Sequence, residues 1–325
     1  MGYKDVKFPN GTRFLVTGAA GFIGSNLCEA ILKMGYEVTG LDNFSNGRRE
    51  NIEELKAYGN FKFIEGDISD EQTCLDASEG IDYILNEAAW GSVPRSMKMP
   101  LTYNRNNVTG TVNIFEAALK KGVKRVVYAS SSSVYGDSPV LPKVEGGEGR
   151  PISPYALTKK MDEEYADLYY RVFGLETVGL RYFNVFGRRQ DPHSTYAAVI
   201  PIFVKKLLAD TPPTINGDGT QTRDFTYIEN VIEMNLKSCL APKEACGQAY
   251  NVAFGQNTSL NELYEKLCSL LGKDIKANYG PARAGDIPHS LADISKAKKL
   301  VGYNPDYSLN DGLELTIEWY KKFLG

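Results

Sequence analysis

Tyr155 and Lys159, four apart in Tyr155-Ala156-Leu157-Thr158-Lys159, could do acid–base chemistry. On a helix, positions i and i+4 share a face, which sets an ammonium beside a phenol. A free phenol titrates at about pH 10 and is a poor base at neutral pH, but a nearby cation favours its ionised form. Such a base could take the proton of an alcohol whose carbon gives up a hydride. Tyr-x-x-x-Lys recurs by chance on charged helices, so its weight depends on where it sits. Upstream, Ser130-Ser131-Ser132-Ser133 ends an apolar run. A hydroxyl there could share a hydrogen bond with the reacting oxygen, although four serines would also make a plain polar turn.

A hydride needs an acceptor. Phe14-Leu15-Val16-Thr17 reads as a buried strand, and Gly18, Gly21 and Gly24 follow it at three-residue spacing before a helical pattern begins. One glycine makes the tight turn, one lets backbone approach a pyrophosphate, and one lets helix pack closely on strand. The helix N-terminus then offers unpaired N–H groups and a positive dipole end to the phosphates. The strand, turn and helix context is what separates this loop from three glycines met by chance. Asp42 ends the next strand, 18 residues beyond Gly24. A carboxylate there accepts ribose hydroxyls and repels a 2′-phosphate, which predicts NAD rather than NADP. Arg48 and Arg49 could favour the phosphate, but they read better as a solvated first turn of the following helix.

The elements that must position these residues alternate. Strands are expected at 37–42, 61–65, 82–86, 125–130 and 176–181, with helices near 48–58, over 102–121, and from the Ser153 N-cap and Pro154 to about 173. This rhythm predicts an α/β, doubly wound parallel-sheet Rossmann domain. Beyond 181 the rhythm changes. The stretch 184–196 reads as loop and 198–208 as helix. A short strand covers 214–216, Ser259 with Glu262 makes a capping box, and a last helix spans 308–323. We expect a smaller mixed α/β C-terminal substrate domain there. The division is residues 1–183 plus about 223–255 for the dinucleotide and about 184–222 plus 256–325 for the substrate. With no repeat or low-complexity linker, the boundary is read as a compact cleft.

The bulk numbers exclude several classes. With 325 residues, 42% of them hydrophobic, the chain can bury a large core. A net charge of -3 gives no broad footprint for nucleic acid. The five cysteines lack metal-ligand spacing and there are only two histidines, so no metal is expected. No apolar run approaches a membrane span, and the N-terminus has no signal-peptide pattern. A reduced, cytoplasmic enzyme is the expectation.

Taken together, Gly18-Ala19-Ala20-Gly21-Phe22-Ile23-Gly24, Gly66-Asp67-Ile68, Ser131-Ser132-Ser133-Val134-Tyr135-Gly136 and Tyr155-x-x-x-Lys159 resemble the nucleotide-sugar 4-epimerases of the extended short-chain dehydrogenase/reductase group. The resemblance continues through Arg181-Tyr182-Phe183-Asn184-Val185-Phe186-Gly187, Arg223-Asp224-Phe225 and Arg283-Ala284-Gly285-Asp286, and covers nearly the whole chain. It implies Ser131, Tyr155 and Lys159 as the catalytic trio. Around NAD it implies Phe22, Ile23, Asp42, Asn43, Asp67, Ile68, Ala88, Asn106 and Tyr182, with Tyr155 and Lys159. On the UDP-sugar it implies Ser92, Ser131, Ser132, Tyr155, Asn184, Val199, Asn216, Arg223, Arg283, Asp286 and Ser290. Two arginines suit a diphosphate; a mere local ion pair of Arg223 with Asp224 is the plainer reading of that stretch. The resemblance also implies a homodimer packed through 102–121 and 153–173, and a place in glycan precursor synthesis.

Two departures bear on function. Asn86-Glu87-Ala88-Ala89 stands where the group usually has His-Gln-Ala-Ala, and an acid at Glu87 is without explanation from sequence. Dehydratases of the group carry an Asp-Glu pair before Val-Tyr-Gly, and decarboxylases a Glu; here those positions are Ser132 and Ser133. Serine is no general acid at neutral pH without help, which argues epimerase. A small residue seven after the Arg of Arg-x-Gly-Asp, here Ser290, resembles the gate of enzymes that accept N-acetylated sugars, whereas Tyr marks those confined to UDP-Glc and UDP-Gal. UDP-GlcNAc/UDP-GalNAc interconversion is therefore the expectation. A UDP-glucuronate or UDP-N-acetylhexosaminuronate 4-epimerase is the rival enzyme. A non-catalytic NAD- or UDP-sugar-binding regulator is the rival of another class, disfavoured by the intact Tyr155 and Lys159.

Overall fold

A computed structural model describes residues 2–193, 197–282 and 288–324. Seven strands form one sheet: β1 Arg13–Thr17, β2 Glu37–Asp42, β3 Phe61–Glu65, β4 Tyr83–Asn86, β5 Arg125–Ser131, β6 Thr177–Tyr182 and β7 Gln248–Val252. Their order is β7-β6-β5-β4-β1-β2-β3, with every neighbouring pair parallel. β1 is buried from Phe14 to Thr17 and β5 along its whole length, as a parallel sheet covered on both faces requires.

The covering helices are α1 Phe22–Lys33, α2 Arg49–Lys56, α3 Glu71–Ala77, α4 Gly110–Lys121, α5 Pro154–Leu168 and α6 Ile228–Leu240. Leu27 and Ile31 of α1 join Val231 and Leu236 of α6 in one core. Cys74 of α3, Ile114 and Phe115 of α4, and Ala166 of α5 share the other. Truncating the fully buried Phe115 to Ala would cost about 3–5 kcal/mol in lost burial and cavity. Strand order reverses between β1 and β4, so the loops after these two strands diverge and leave a crevice at their C-terminal ends.

Four findings differ from the sequence reading. The helix expected over 102–121 is built as Pro100–Tyr103, a π-turn at Asn104–Thr109, and α4. The helix expected to reach 173 likewise ends in a π-turn, Tyr169–Phe173. The 184–196 stretch contains a short strand, Val185–Phe186, paired parallel with Thr226–Tyr227. β7 was not read as a strand.

After β6 the chain forms the helix Val199–Leu208, the strand Thr214–Asn216 paired parallel with Asn278–Gly280, and the helices Leu260–Leu271 and Leu309–Leu324. Ser259 and Glu262 make the expected capping box, each accepting from the other's backbone N–H.

Candidate active site

The crevice between the loops after β1 and β4 is lined by Gly18, Gly21, Phe22, Ile23, Gly24, Asp42, Asn43, Asp67, Ile68, Ala88 and Asn106, all expected around NAD. Gly18 turns with φ +67°, and a Cβ on it would lie 2.9 Å from Ala88 N. A Cβ on Gly24 would lie 2.1 Å from Gly18 O, so only glycine lets α1 approach β1 this closely. α1 starts at Gly21 with no side-chain cap, and its first backbone bond runs from Ser25 N to Gly21 O. The amides of the first turn therefore lack intrahelical acceptors and suit a pyrophosphate.

Asp42 accepts from Ala20 N at 3.0 Å and from Phe44 N at 2.7 Å, one bond on each oxygen. Each oxygen keeps lone-pair capacity for a ribose hydroxyl. Burial raises this carboxyl above its ordinary value, against the pull of those N–H groups. Asn43 donates to Asp67 at 2.8 Å. Burial also pushes Asp67 up, but bonds from Ser69 and Asn43 outweigh it and hold it low. Arg49 pairs with Glu65 and stacks on Phe44, and Arg48 stacks on Phe323; neither lines the crevice. The donor set, the uncapped helix and the glycine turn thus fit NAD.

The same crevice is also lined by Gly66, Ala89, Trp90 and Gly91, from stretches the sequence places at strand ends, and by Ser45, Asn46 and Gly47, which the sequence reading does not single out. The Asn/Ser/Gly-rich run 43–47 was the available signal. A Cβ on Gly47 would lie 3.0 Å from Asp42 Oδ1, so the run packs closely around that carboxylate. Glu87 also lines the crevice.

Tyr155, Lys159 and Ser131 are not in its lining. Ser153 accepts from Ala156 N at 3.1 Å and starts α5 as expected. Lys159 is buried, and its Nζ donates to Ala129 O at 2.8 Å and to Asp162 Oδ2 at 3.2 Å rather than to the Tyr155 hydroxyl. Burial pushes Asp162 up while Lys159 pulls it back. The half-buried Tyr155 ring meets Tyr103 edge-on at 6.2 Å. Ser131 Oγ accepts from Ser133 N at 3.1 Å and pairs with Ser133 Oγ at 2.9 Å, capping the short 3-10 turn that contains Ser132.

The Asn107 side chain joins the crevice to α5. Asn107, presented by the π-turn, accepts from Trp90 N at 2.8 Å and donates to Trp90 O at 3.2 Å and to Thr158 Oγ1 at 3.0 Å. π-turns often mark such functional places. Ser92, at φ +92°, accepts from Arg95 N at 3.3 Å, and its carbonyl accepts from Tyr103 OH at 2.9 Å. Glu163 of α5 accepts from Ser130 Oγ at 2.6 Å and from both Arg181 Nε and Nη2 at 2.8 Å, locking α5 to β5 and β6.

Tyr182 ends β6, and its hydroxyl donates to Glu87 Oε1 at 2.7 Å. A second cleft is lined by Asn184, Val199, Asn216 and Arg223, all expected on the UDP-sugar, and also by Phe203 and Gln221. Arg223 donates to Thr222 O at 2.9 Å. Asp224 is buried and turned inward, accepting from Phe254 N, Gly255 N and Ala292 N at 3.1–3.2 Å. Ser290 is not in the lining; its N–H donates to Thr222 O at 3.1 Å, next to Arg223. Ser92, Ser131 and Ser132 line neither cleft. Arg283 and Asp286 lie outside the described residues.

Residues 14–253 match the NAD dependent epimerase/dehydratase family. The chain is 38% identical to UDP-glucose 4-epimerase of Mycolicibacterium smegmatis, over 95% of this chain and 98% of that one. It superposes with TM-score 0.91 on UDP-N-acetylglucosamine 4-epimerase from Methanobrevibacter ruminantium in complex with UDP-N-acetylmuramic acid, at 38% identity, covering 96% of this chain and 99% of that one. UDP-glucuronic acid 4-epimerase from Bacillus cereus, in complex with UDP-glucuronic acid and NAD, gives TM-score 0.87 at 35% identity, covering 96% and 100%. The chain belongs to the NAD-dependent epimerase/dehydratase family, and it is an NAD-dependent epimerase of the extended short-chain dehydrogenase/reductase type whose relatives include UDP-sugar 4-epimerases.

Proposed function

We propose that the chain interconverts UDP-GlcNAc and UDP-GalNAc, with room for UDP-Glc and UDP-Gal, through a transient 4-keto sugar. The observation that carries this reading is Ser290, a short side chain on the segment bonded to Thr222 beside Arg223 of the second cleft. A keto sugar that turns over to offer its other face must clear its N-acetyl arm, and a Ser leaves space that a Tyr would fill. A structurally similar enzyme, that of Methanobrevibacter ruminantium, is a UDP-N-acetylglucosamine 4-epimerase.

In this reading Tyr155 takes the C4 hydroxyl proton and later returns it to the opposite configuration. Lys159 supplies positive charge near that step and would help to bind the cofactor. Ser131 shares a hydrogen bond with the C4 oxygen, and Ser132 and Ser92 flank the sugar. Bound NAD supplies the acceptor and donor of a hydride at C4, with no net redox change. Asp42, Asn43, Asp67 and the α1 amides would hold it, with Ala88, Asn106 and Tyr182 toward the nicotinamide. Asn184, Val199, Asn216 and Arg223, with Arg283 and Asp286, grip UDP while the sugar turns.

The division into residues 1–183 plus about 223–255 and about 184–222 plus 256–325 follows the same reading. A homodimer is part of it. Leu101, Met97, Leu157, Val172 and Phe173 are at least half exposed on the helices read as dimer-forming or just before them, an apolar surface a second copy would cover. The test is separate incubation with UDP-GlcNAc, UDP-Glc and UDP-GlcA, resolving the epimers. Turnover of UDP-GlcA alone would replace this reading with that of a uronate epimerase.

A further inference from the structure

The crevice runs from Asp42 at the end of β2, past the glycine turn, to Glu87 just beyond β4. With its adenosine hydroxyls on Asp42, a dinucleotide laid along this crevice would place its nicotinamide toward the Glu87 end. Glu87 Oε1 is held by the Tyr182 hydroxyl at 2.7 Å, and the Tyr182 oxygen in turn accepts from Asn235 Nδ2 at 2.9 Å. Oε2 is sealed from solvent and has no hydrogen-bond partner among the described residues. A buried acceptor left in this way is costly and calls for an explanation at the site itself. Epimerisation as described assigns Glu87 no proton and no contact with substrate.

We infer that Glu87 sets the redox poise of the bound dinucleotide, its carboxylate favouring the oxidised, cationic nicotinamide ring over the neutral reduced one. The inference rests on NAD lying in this crevice with its adenosine at Asp42, and not on which sugar is turned over. A fixed anion stabilises a neighbour that is positive in only one of its states. Burial pushes the Glu87 carboxyl up to about 7, against the Tyr182 hydrogen bond and the Lys159 charge. A cationic ring alongside adds to the pull toward the ionised form. The benefit is specific to a reaction without net redox change: a cofactor left reduced after an aborted turnover cannot begin another, and an anion here opposes that state.

The test is a redox titration of purified, NAD-loaded protein against a low-potential dye couple, which supplies the two electrons while solvent supplies the proton. The near-ultraviolet absorbance of the reduced ring is the readout. Glu87→Gln keeps an acceptor for Tyr182 and removes the charge. At a fixed ambient potential its ratio of reduced to oxidised cofactor should rise about tenfold, an upward midpoint shift of about 30 mV for a two-electron couple. Glu87→Asp keeps the charge on a shorter stem and should stay closer to the wild type than Gln does. Cofactor content and thermal midpoint of each variant show that loaded, folded protein is being compared. Coincident midpoints for wild type and Gln would overturn the inference, as would an Asp variant shifted as far as Gln. Wild-type protein that holds no nicotinamide would remove it together with the cofactor assignment.

Discussion

The Lys159 ammonium lies 3.2 Å from Asp162 Oδ2, one turn along the same helix and shut off from solvent with it. Removing one member of a buried pair strands the other charge, at a cost of about 3–5 kcal/mol. Asp162→Asn should therefore lower the unfolding free energy by about that much in urea titration. An unchanged midpoint would mean that the Ala129 carbonyl alone is partner enough for Lys159.

Tyr155→Phe removes only the hydroxyl of a half-buried ring. Turnover should fall by about 10²–10⁴, the range for a lost acid–base group, with NAD content and thermal midpoint preserved. Epimer ratios followed over time give the rate. Near-normal turnover takes Tyr155 out of the chemistry.

Purified protein should release NAD on denaturation without any having been added, and chromatography of the supernatant identifies it. Asp42→Ala removes the carboxylate that repels a 2′-phosphate and should relax the discrimination against NADP. NADP in the wild-type supernatant contradicts the role given to Asp42.

Ser290→Tyr should abolish UDP-GlcNAc turnover by overfilling the pocket while UDP-Glc turnover survives. The split between the two sugars is the measurement. Equal loss for both signals general damage and sinks the gate.

Burial pushes the Asp224 carboxyl up to about 7, against the N–H groups of Ala292, Phe254 and Gly255. In the unfolded chain an Asp titrates at about 3.9, so between these values the folded state binds the extra proton. Stability therefore falls as pH rises through that window. The loss attributable to Asp224 is at most about 4 kcal/mol. Asp224→Asn lowers stability at every pH by disturbing the three N–H bonds, but it should flatten the difference between about pH 5 and about pH 8. Parallel pH slopes for variant and wild type would show that Asp224 does not titrate in the window.

The parts that could be read from sequence were those whose physics is local. Phe14-Leu15-Val16 and Val126-Val127-Tyr128 read as apolar runs because their strands are buried on both faces. The glycine loop was legible because each glycine answers a nearby steric demand. β7 was hidden because Gln248-Ala249-Tyr250-Asn251-Val252 fails the apolar-run test. Asn251 is a buried polar residue that accepts from Tyr135 OH and donates to the Lys143 and Asp293 carbonyls, partners far away in sequence. Asp162 was visible as a residue three after Lys159, but its burial was not. The π-turn at Asn104–Thr109 could not be foreseen, since it accompanies bonds from Asn107 to Trp90 and Thr158.

That asparagine makes alignment a matter of a short tolerance chain. Trp90 and Thr158 belong to segments that reach Asn107 across 17 and 51 residues of sequence, yet bonds of 2.8, 3.2 and 3.0 Å hold all three together. Positional error gathered along the strands and helices between them does not accumulate at the junction, because loop and α5 share one datum. A displacement of about 1 Å between reacting groups costs on the order of 10² in rate. The accuracy that crevice loop and α5 need from each other is thus set in part locally, by one amide group, in addition to the bonds that tie α5 to β5 and β6.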